Sequence, residues 1–158
     1  MRLFPILMLM LVISVLMLQQ ANMRSMQGSV LQQKINADAQ FFLDYRQSVM
    51  AYVQAHPTTT GAIPATSLTG YSPRPLASAF LARVGNNVTT TASGPEVTVY
   101  GAMSPGVLNV IIKQSGDDAS IGLSSGTTWT SQANGVIATA QPLLIAVPAG
   151  DIVSVFTM

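Results

Sequence analysis

The sequence contains no cysteine. Disulfide bonds, thiolate metal sites, a cysteine nucleophile and a lipoprotein anchor are therefore excluded. Charge is also scarce, with 7 basic and 6 acidic residues among 158. The basic residues form no cluster, which argues against a nucleic-acid surface; they are Arg2, Arg24, Lys34, Arg46, Arg74, Arg83 and Lys113. A chain of this length allows one domain and an accessory segment.

The most conspicuous feature that is present is an apolar run from Leu3 to Leu18, in which Ser14 is the only polar residue. As a helix the run would span about 24 Å, which is near the lower limit for crossing a bilayer. The run predicts an uncleaved transmembrane anchor over residues 1–23 that contacts lipid through Leu3 to Leu18. A short positive segment before a first apolar helix usually stays in the cytoplasm. Residues 24–158 are then expected in the periplasm of a bacterial inner-membrane protein.

A cleaved signal peptide is the alternative interpretation of the same segment. Arg2 would supply the positive start and the apolar run its hydrophobic region. The best cleavage site, Gln19-Gln20-Ala21, places a bulky glutamine where a small residue is needed. The uncleaved anchor is therefore favoured.

An amphipathic helix is predicted over residues 24–56. Its apolar positions are spaced by three and four residues, as on one helix face, and they are Leu31, Ile35, Phe42, Tyr45, Val49 and Tyr52, with Asp38 interrupting them. Pro57 ends the helix, because the residue before a proline is disfavoured in the α conformation. Gly28 could mark a kink. Residues 57–85 are predicted to be a proline-rich loop followed by a short helix, Leu76–Val84.

Residues 86–158 are predicted to form an antiparallel sheet, because short β-branched runs alternate with turn residues. The predicted strands are Val88–Ala92, Glu96–Tyr100, Val107–Gln114, Ser120–Leu123, Thr128–Ser131, Val136–Ala140, Leu143–Val147 and Ile152–Thr157. Asn134-Gly135 is a favoured hairpin turn before the sixth of them. The order of helices followed by strands indicates an α+β fold, with the sheet packed on the long helix.

Side chains capable of chemistry do not form a convincing site. His56 is the only histidine, and beside Pro57 it is expected to cap the helix rather than to serve a catalytic triad. Asp117-Asp118 is typical of a hairpin turn and lacks the spacing of a calcium loop. Trp129 is expected to be a core residue that packs against the helix, with a partner-binding role as the alternative. No catalytic, cofactor-binding or metal-binding residue is predicted.

The layout of an apolar helix, an amphipathic helix and an antiparallel sheet resembles that of a type IV pilin. Prepilin features are missing, however, since no glutamate precedes Glu96 and Gly28 follows the apolar run. The whole chain is more similar to the PilM family of type IVB thin-pilus systems of conjugative plasmids. The similarity lies in the Tyr52 to Pro57 stretch, in the tryptophan-containing segment Thr128 to Gly135, and in Leu143 to Val153.

The resemblance implies a non-enzymatic inner-membrane component of the pilus basal body or of the pilin transport apparatus. Its partners would be other pilus-assembly proteins, with a homo-oligomer also plausible, and it implies no catalytic residue or cofactor. Two alternatives remain open. The first is a minor pilin-like subunit of the fibre, and the second is a periplasmic hydrolase that uses His56.

Overall fold

The computed structural model describes residues 3–133 and 139–158. The chain divides into two compact units, residues 1–34 and 35–158. The first long helix, α1 (Leu3–Ala55), contributes to both and runs through Gly28 without interruption. The boundary predicted at residues 23 and 24 stays a prediction.

The unit of residues 1–34 is helical wherever it is described. Among the described residues, no helix combines the length and the apolar character needed to span a bilayer. The prediction of a transmembrane anchor, and with it the inner-membrane localisation, is therefore wrong. The physical reason is that the run Leu3 to Leu18 falls short of the roughly 20 apolar residues that a span requires. Polar residues follow it directly, beginning with Gln19 and Gln20. The lipid contact predicted for Leu3 to Leu18 loses its basis.

In the unit of residues 35–158, α1 has the predicted amphipathic face. Its buried apolar side chains follow the helical spacing of three and four residues, and they are Ala39, Phe42, Tyr45, Val49 and Val53. Ile35 and Tyr52 are half-buried, whereas Leu31 lies in the other unit and is exposed. The helix ends at Ala55, one residue before the predicted end at residue 56.

The segment after α1 contains two short helices, α2 (Ala65–Leu68) and α3 (Ser78–Leu81). Helix α2 lies inside the predicted loop. The preceding Pro64 is compatible with it, because the N–H that proline lacks would have no partner within the helix at the N-cap. The predicted helix Leu76–Val84 is shorter than expected, since the β-branched Val84 already begins the first strand.

Six antiparallel strands form one sheet among the described residues. They are β1 (Val84–Thr91), β2 (Gly94–Gly101), β3 (Ile121–Ser124), β4 (Thr128–Ser131), β5 (Ala140–Pro142) and β6 (Ile152–Thr157). Their order is β1-β2-β6-β3-β4-β5, so the last strand of the chain lies in the middle. The predicted α+β fold, a long helix followed by an antiparallel sheet, is confirmed.

Two predicted strands are wrong. Val107–Gln114 is a helix, α4, which buries Val107, Ile111 and Ile112. Strand alternation would place Val107 and Ile111 on the same face as Asn109 and Lys113, whereas helical spacing separates apolar from polar side chains. Leu143–Val147 is irregular, although its ends donate backbone hydrogen bonds to the Thr127 and Gly126 carbonyl oxygens. The predicted turn at Asn134-Gly135 and most of Val136–Ala140 lie outside the described residues.

The sheet packs an apolar cluster on each face. One cluster contains the α1 residues together with Val97, Val99 and Ile152. The other contains Trp129, Leu143, Val147 and Val153. Neighbouring residues of a strand point to opposite faces of the sheet. Because Ile152 belongs to the first cluster and Val153 to the second, the two clusters lie on opposite sides of the sheet. Trp129 is a core residue as predicted, but it packs under Leu143 and Val147 rather than against α1.

Each edge of the sheet carries a feature that limits further pairing. At β1, Gly61 and Val88 exchange two backbone hydrogen bonds of 2.8 and 2.9 Å. The side chain of Asn86 also bonds the backbone N–H and carbonyl oxygen of Ile63. At the other edge, β5 ends in Pro142, which has no N–H to donate. Residues 61–63 therefore cover part of the β1 edge.

Candidate functional site

Three ion pairs connect α1 to separate parts of the unit. Asp38 pairs with Arg83 at 3.1 Å, Asp44 with Arg74 at 2.6 Å, and Arg46 with Asp118 at 2.8 Å. Both Asp38 and Asp44 are buried, although only Asp38 falls on the apolar face of the helix. A buried carboxylate is stable only when it is paired or hydrogen-bonded. These pairs thus hold the 74–83 region and the turn before β3 against α1.

Arg46 makes contacts beyond its ion pair. Its Nη2 also donates to the Ser120 hydroxyl at 2.9 Å, and its guanidinium lies 5.2 Å from the Phe156 ring centroid. Burial alone would raise the pKa of Asp118, but hydrogen bonds from Ser120 and Arg46 outweigh it, so that pKa is lowered. The hairpin predicted at Asp117-Asp118 is wrong, because the segment connects α4 to β3 rather than two strands. The Asp118 carboxylate nevertheless accepts the Ser120 N–H at 2.9 Å, a local hydrogen bond typical of aspartate in turns.

A second buried polar group lies between α1 and β1. The amide of Asn86 donates to the Tyr45 hydroxyl at 2.6 Å and to the Ile63 carbonyl at 3.0 Å, and its oxygen accepts the Ile63 N–H at 2.8 Å. Burial is the main reason why the pKa of Tyr45 is raised. Because every polar atom of this amide group has a partner in the fold, Asn86 has a structural role.

His56 lies at the end of α1 and is exposed. Its Nδ1 is 3.0 Å from the Tyr52 carbonyl oxygen, which is the predicted capping contact. The imidazole stacks on the Tyr52 ring at 4.4 Å, and Tyr71 lies edge-on to both. The contacts described for His56 bring it neither a carboxylate nor a serine hydroxyl. The arrangement therefore supports capping rather than proton transfer.

A surface groove of about 340 Å³ lies beside Leu68 and Arg74. Its apolar side chains include the buried Leu68 and the half-buried Leu76 and Leu81. Pro73 and Arg74 also line it. A volume of this size lies at the small end of ligand pockets, which run from about 300 to 1,000 Å³. The groove has room for a few side chains rather than for a large cofactor.

Exposed apolar side chains are concentrated in the unit of residues 1–34. They are Met8, Ile13, Leu16, Met17, Val30 and Leu31. Leu144, in the other unit, is also exposed. Several exposed large apolar side chains on one helix are a feature of surfaces that contact other proteins.

The sequence reasoning missed the ion pairs and the groove, and it predicted no functional residue, which stays a prediction. One signal was present, because Asp38 interrupts the apolar positions of an amphipathic helix and so requires a partner. The arginines that pair with Asp38 and Asp44 are 45 and 30 residues away in the chain, which no local pattern reveals. Among the described residues there is no group of three potential metal ligands.

Comparison with known proteins gives two matches. The family model for PilM matches residues 7–155. A crystal structure of the protein PilM from Escherichia coli B7A superposes with a TM-score of 0.52 at 17% sequence identity, covering 80% of this chain and 94% of that chain. At this identity the likeness concerns the fold alone. No curated protein matches the chain.

Proposed function

The chain belongs to the PilM family of pilus-assembly proteins, as the sequence resemblance predicted, and we propose that it is a non-enzymatic structural component of a type IVB pilus or related secretion assembly. In this role it would hold other assembly proteins in place, either in the basal body or during pilin transport. Its partners would be pilus proteins, with a second copy of the chain among the candidates.

The observation that carries this proposal is the exposed apolar surface of α1 in residues 1–34. Met8, Ile13, Leu16 and Met17 are large and exposed. Burying such side chains against a partner contributes about 25 cal/mol per Å² of apolar area. Charge repulsion would not oppose the contact, because no charged residue occurs between Leu3 and Met23. Both features favour a protein that works by binding other proteins.

The test is complementation of a deletion strain with Leu16→Gln/Met17→Gln, followed by pilus counts and recovery of crosslinked partners. We expect fewer pili and loss of crosslinks at normal protein levels. Gln33→Ser is the matched control, since Gln33 is an exposed polar residue of the same helix. Full piliation with the double variant would refute the proposed contact.

A minor pilin-like subunit is the second candidate function. It is favoured by the layout, in which a long helix precedes an antiparallel sheet. The two functions are distinguished by whether the protein is recovered in the pilus fibre. Recovery in sheared pilus fibres supports the subunit, and absence from fibres together with crosslinks to assembly proteins supports the structural component.

A hydrolase that uses His56 is the less favoured alternative. The imidazole contacts a backbone carbonyl and two tyrosine rings, which gives it no general-base partner for a nucleophile. A His56→Ala variant that assembles pili normally would dispose of this alternative. Loss of assembly without loss of folding would revive it.

A further inference from the structure

We infer that the groove beside Arg74 binds an extended segment of a partner protein, which places an aliphatic side chain in the groove and a neighbouring acidic side chain on Arg74. The inference names the chemistry of a partner and rests on the proposed function for its biological setting. The binding step itself can be measured without it.

The apolar part of the site is the interior of the groove. Leu68 is buried there, and Leu76 and Leu81 are half-buried, so aliphatic carbon faces a volume of about 340 Å³. An aliphatic side chain placed in this space would leave water on entering it, which is favourable in proportion to the apolar area covered. The groove thus selects for a leucine-like side chain.

The charged part of the site is the outer edge of the Arg74 guanidinium. Nε and Nη2 of Arg74 lie 2.8 and 2.6 Å from the same oxygen, Oδ2 of Asp44. Among the described residues, Nη1 has no hydrogen-bond partner. An arginine can donate five N–H groups in a fixed fork. The edge formed by Nη1 and the second N–H of Nη2 can therefore receive another carboxylate while the ion pair with Asp44 stays intact.

The remaining groups around the groove support an acidic rather than a basic partner. No lining residue is acidic, and the Arg74 side chain is 52% exposed. The hydroxyls of Thr69 and Ser72 donate to the carbonyl oxygens of Thr66 and Arg74. Because the protons of these hydroxyls are used by the local backbone, the guanidinium is the side-chain donor left for a partner. Charge complementarity assigns it a carboxylate.

The experiment titrates the full ¹⁵N-labelled chain with two peptides, acetyl-Ala-Leu-Glu-Ala-amide and acetyl-Ala-Leu-Gln-Ala-amide, and follows backbone amides of residues 65–81. We expect saturable shifts in this segment, with the glutamate peptide binding about two- to fivefold more tightly, the range of an exposed ion pair. Equal affinities, or shifts spread over the whole chain, would overturn the inference. Stronger binding by acetyl-Ala-Leu with a free carboxylate would overturn the internal acidic residue in favour of a chain terminus.

Three variants separate binding from folding. Arg74→Gln should abolish the preference for the glutamate peptide, whereas Arg83→Gln, which breaks the comparable Asp38 pair outside the groove, should keep it. Thr69→Glu removes no ion-pair partner and adds a negative charge to the groove, so it should weaken the glutamate peptide more than the glutamine peptide. If Arg74→Gln binds no peptide but assembles normal pili, the site has no role in assembly and the proposed function stands. If the chain prefers the glutamate peptide but a deletion strain assembles pili normally, the proposed function is refuted and the inference about the groove stands.

Discussion

The two parts of helix α1 place polar and apolar side chains in opposite environments. In residues 1–34 the apolar Met8, Leu16 and Met17 are 54, 53 and 68% exposed. In residues 35–55 the acidic Asp38 and Asp44 are only 6 and 5% exposed. The acids are buried because arginines from later in the chain reach them. Burial along this helix follows the neighbours that the fold supplies, and side-chain polarity alone does not predict it.

The largest difference in the free energy of unfolding is expected between truncating a buried and truncating an exposed apolar side chain of α1. Phe42→Ala leaves a cavity in the core and should lower the free energy of unfolding by about 3–5 kcal/mol. Met17→Ala removes an exposed side chain and should change it by no more than about 0.5 kcal/mol. Urea unfolding monitored by Trp129 fluorescence measures both. Similar losses in the two variants would mean that Met17 is covered within the isolated chain.

An intermediate effect is expected where a buried acid loses its arginine. Arg83→Met leaves the Asp38 carboxylate, whose side chain is 8% exposed, without its charged partner. The cost should be about 1–3 kcal/mol, the range for an unsatisfied buried polar group. The double variant Asp38→Asn/Arg83→Met removes the charge and should recover part of the loss in the same unfolding assay. A double variant no more stable than Arg83→Met would show that the charge is not the cause.

The smallest effect is the pH dependence of the acidic groups. The pKa of Asp118 is lowered on folding, so its contribution is present above its unfolded pKa and is lost as the pH falls through the folded pKa. Burial raises the pKa of Glu96, which has the opposite sign. Asp118→Asn should flatten the fall in stability below about pH 4, where unfolded aspartates titrate, and Glu96→Gln should steepen the acid side of the profile. Unfolding midpoints from pH 6 to pH 2 test both; parallel profiles for the two variants would contradict the assignment.

Local sequence patterns predicted the strands in which successive side chains alternate between the two faces of the sheet. Thr128–Ser131 and Ile152–Thr157 alternate between the two faces of the sheet and have the predicted bounds. Val107–Gln114 misled because a β-branched composition outweighed the helical spacing of its buried residues. The apolar run Leu3 to Leu18 misled because its composition suggested a bilayer span that its length does not support.

The candidate site was less accessible to sequence reasoning than the fold. The capping role of His56 follows from its neighbours in the chain, and it was predicted. Arg74 and Leu68 come together only after the proline-rich segment folds over α1 and Asp44 fixes the arginine. Contacts of this kind depend on tertiary structure, and no spacing rule describes them.

The covered edges of the sheet have a consequence for how this protein can associate. Gly61 and Ile63 are hydrogen-bonded along part of the outer edge of β1, and β5 ends in Pro142, which has no N–H. Open strand edges invite uncontrolled addition of further strands and lead to amyloid-like growth. Both features reduce the number of backbone groups that the described strands offer for such pairing. The associations of the chain are left to side-chain surfaces, which can be reversible and specific.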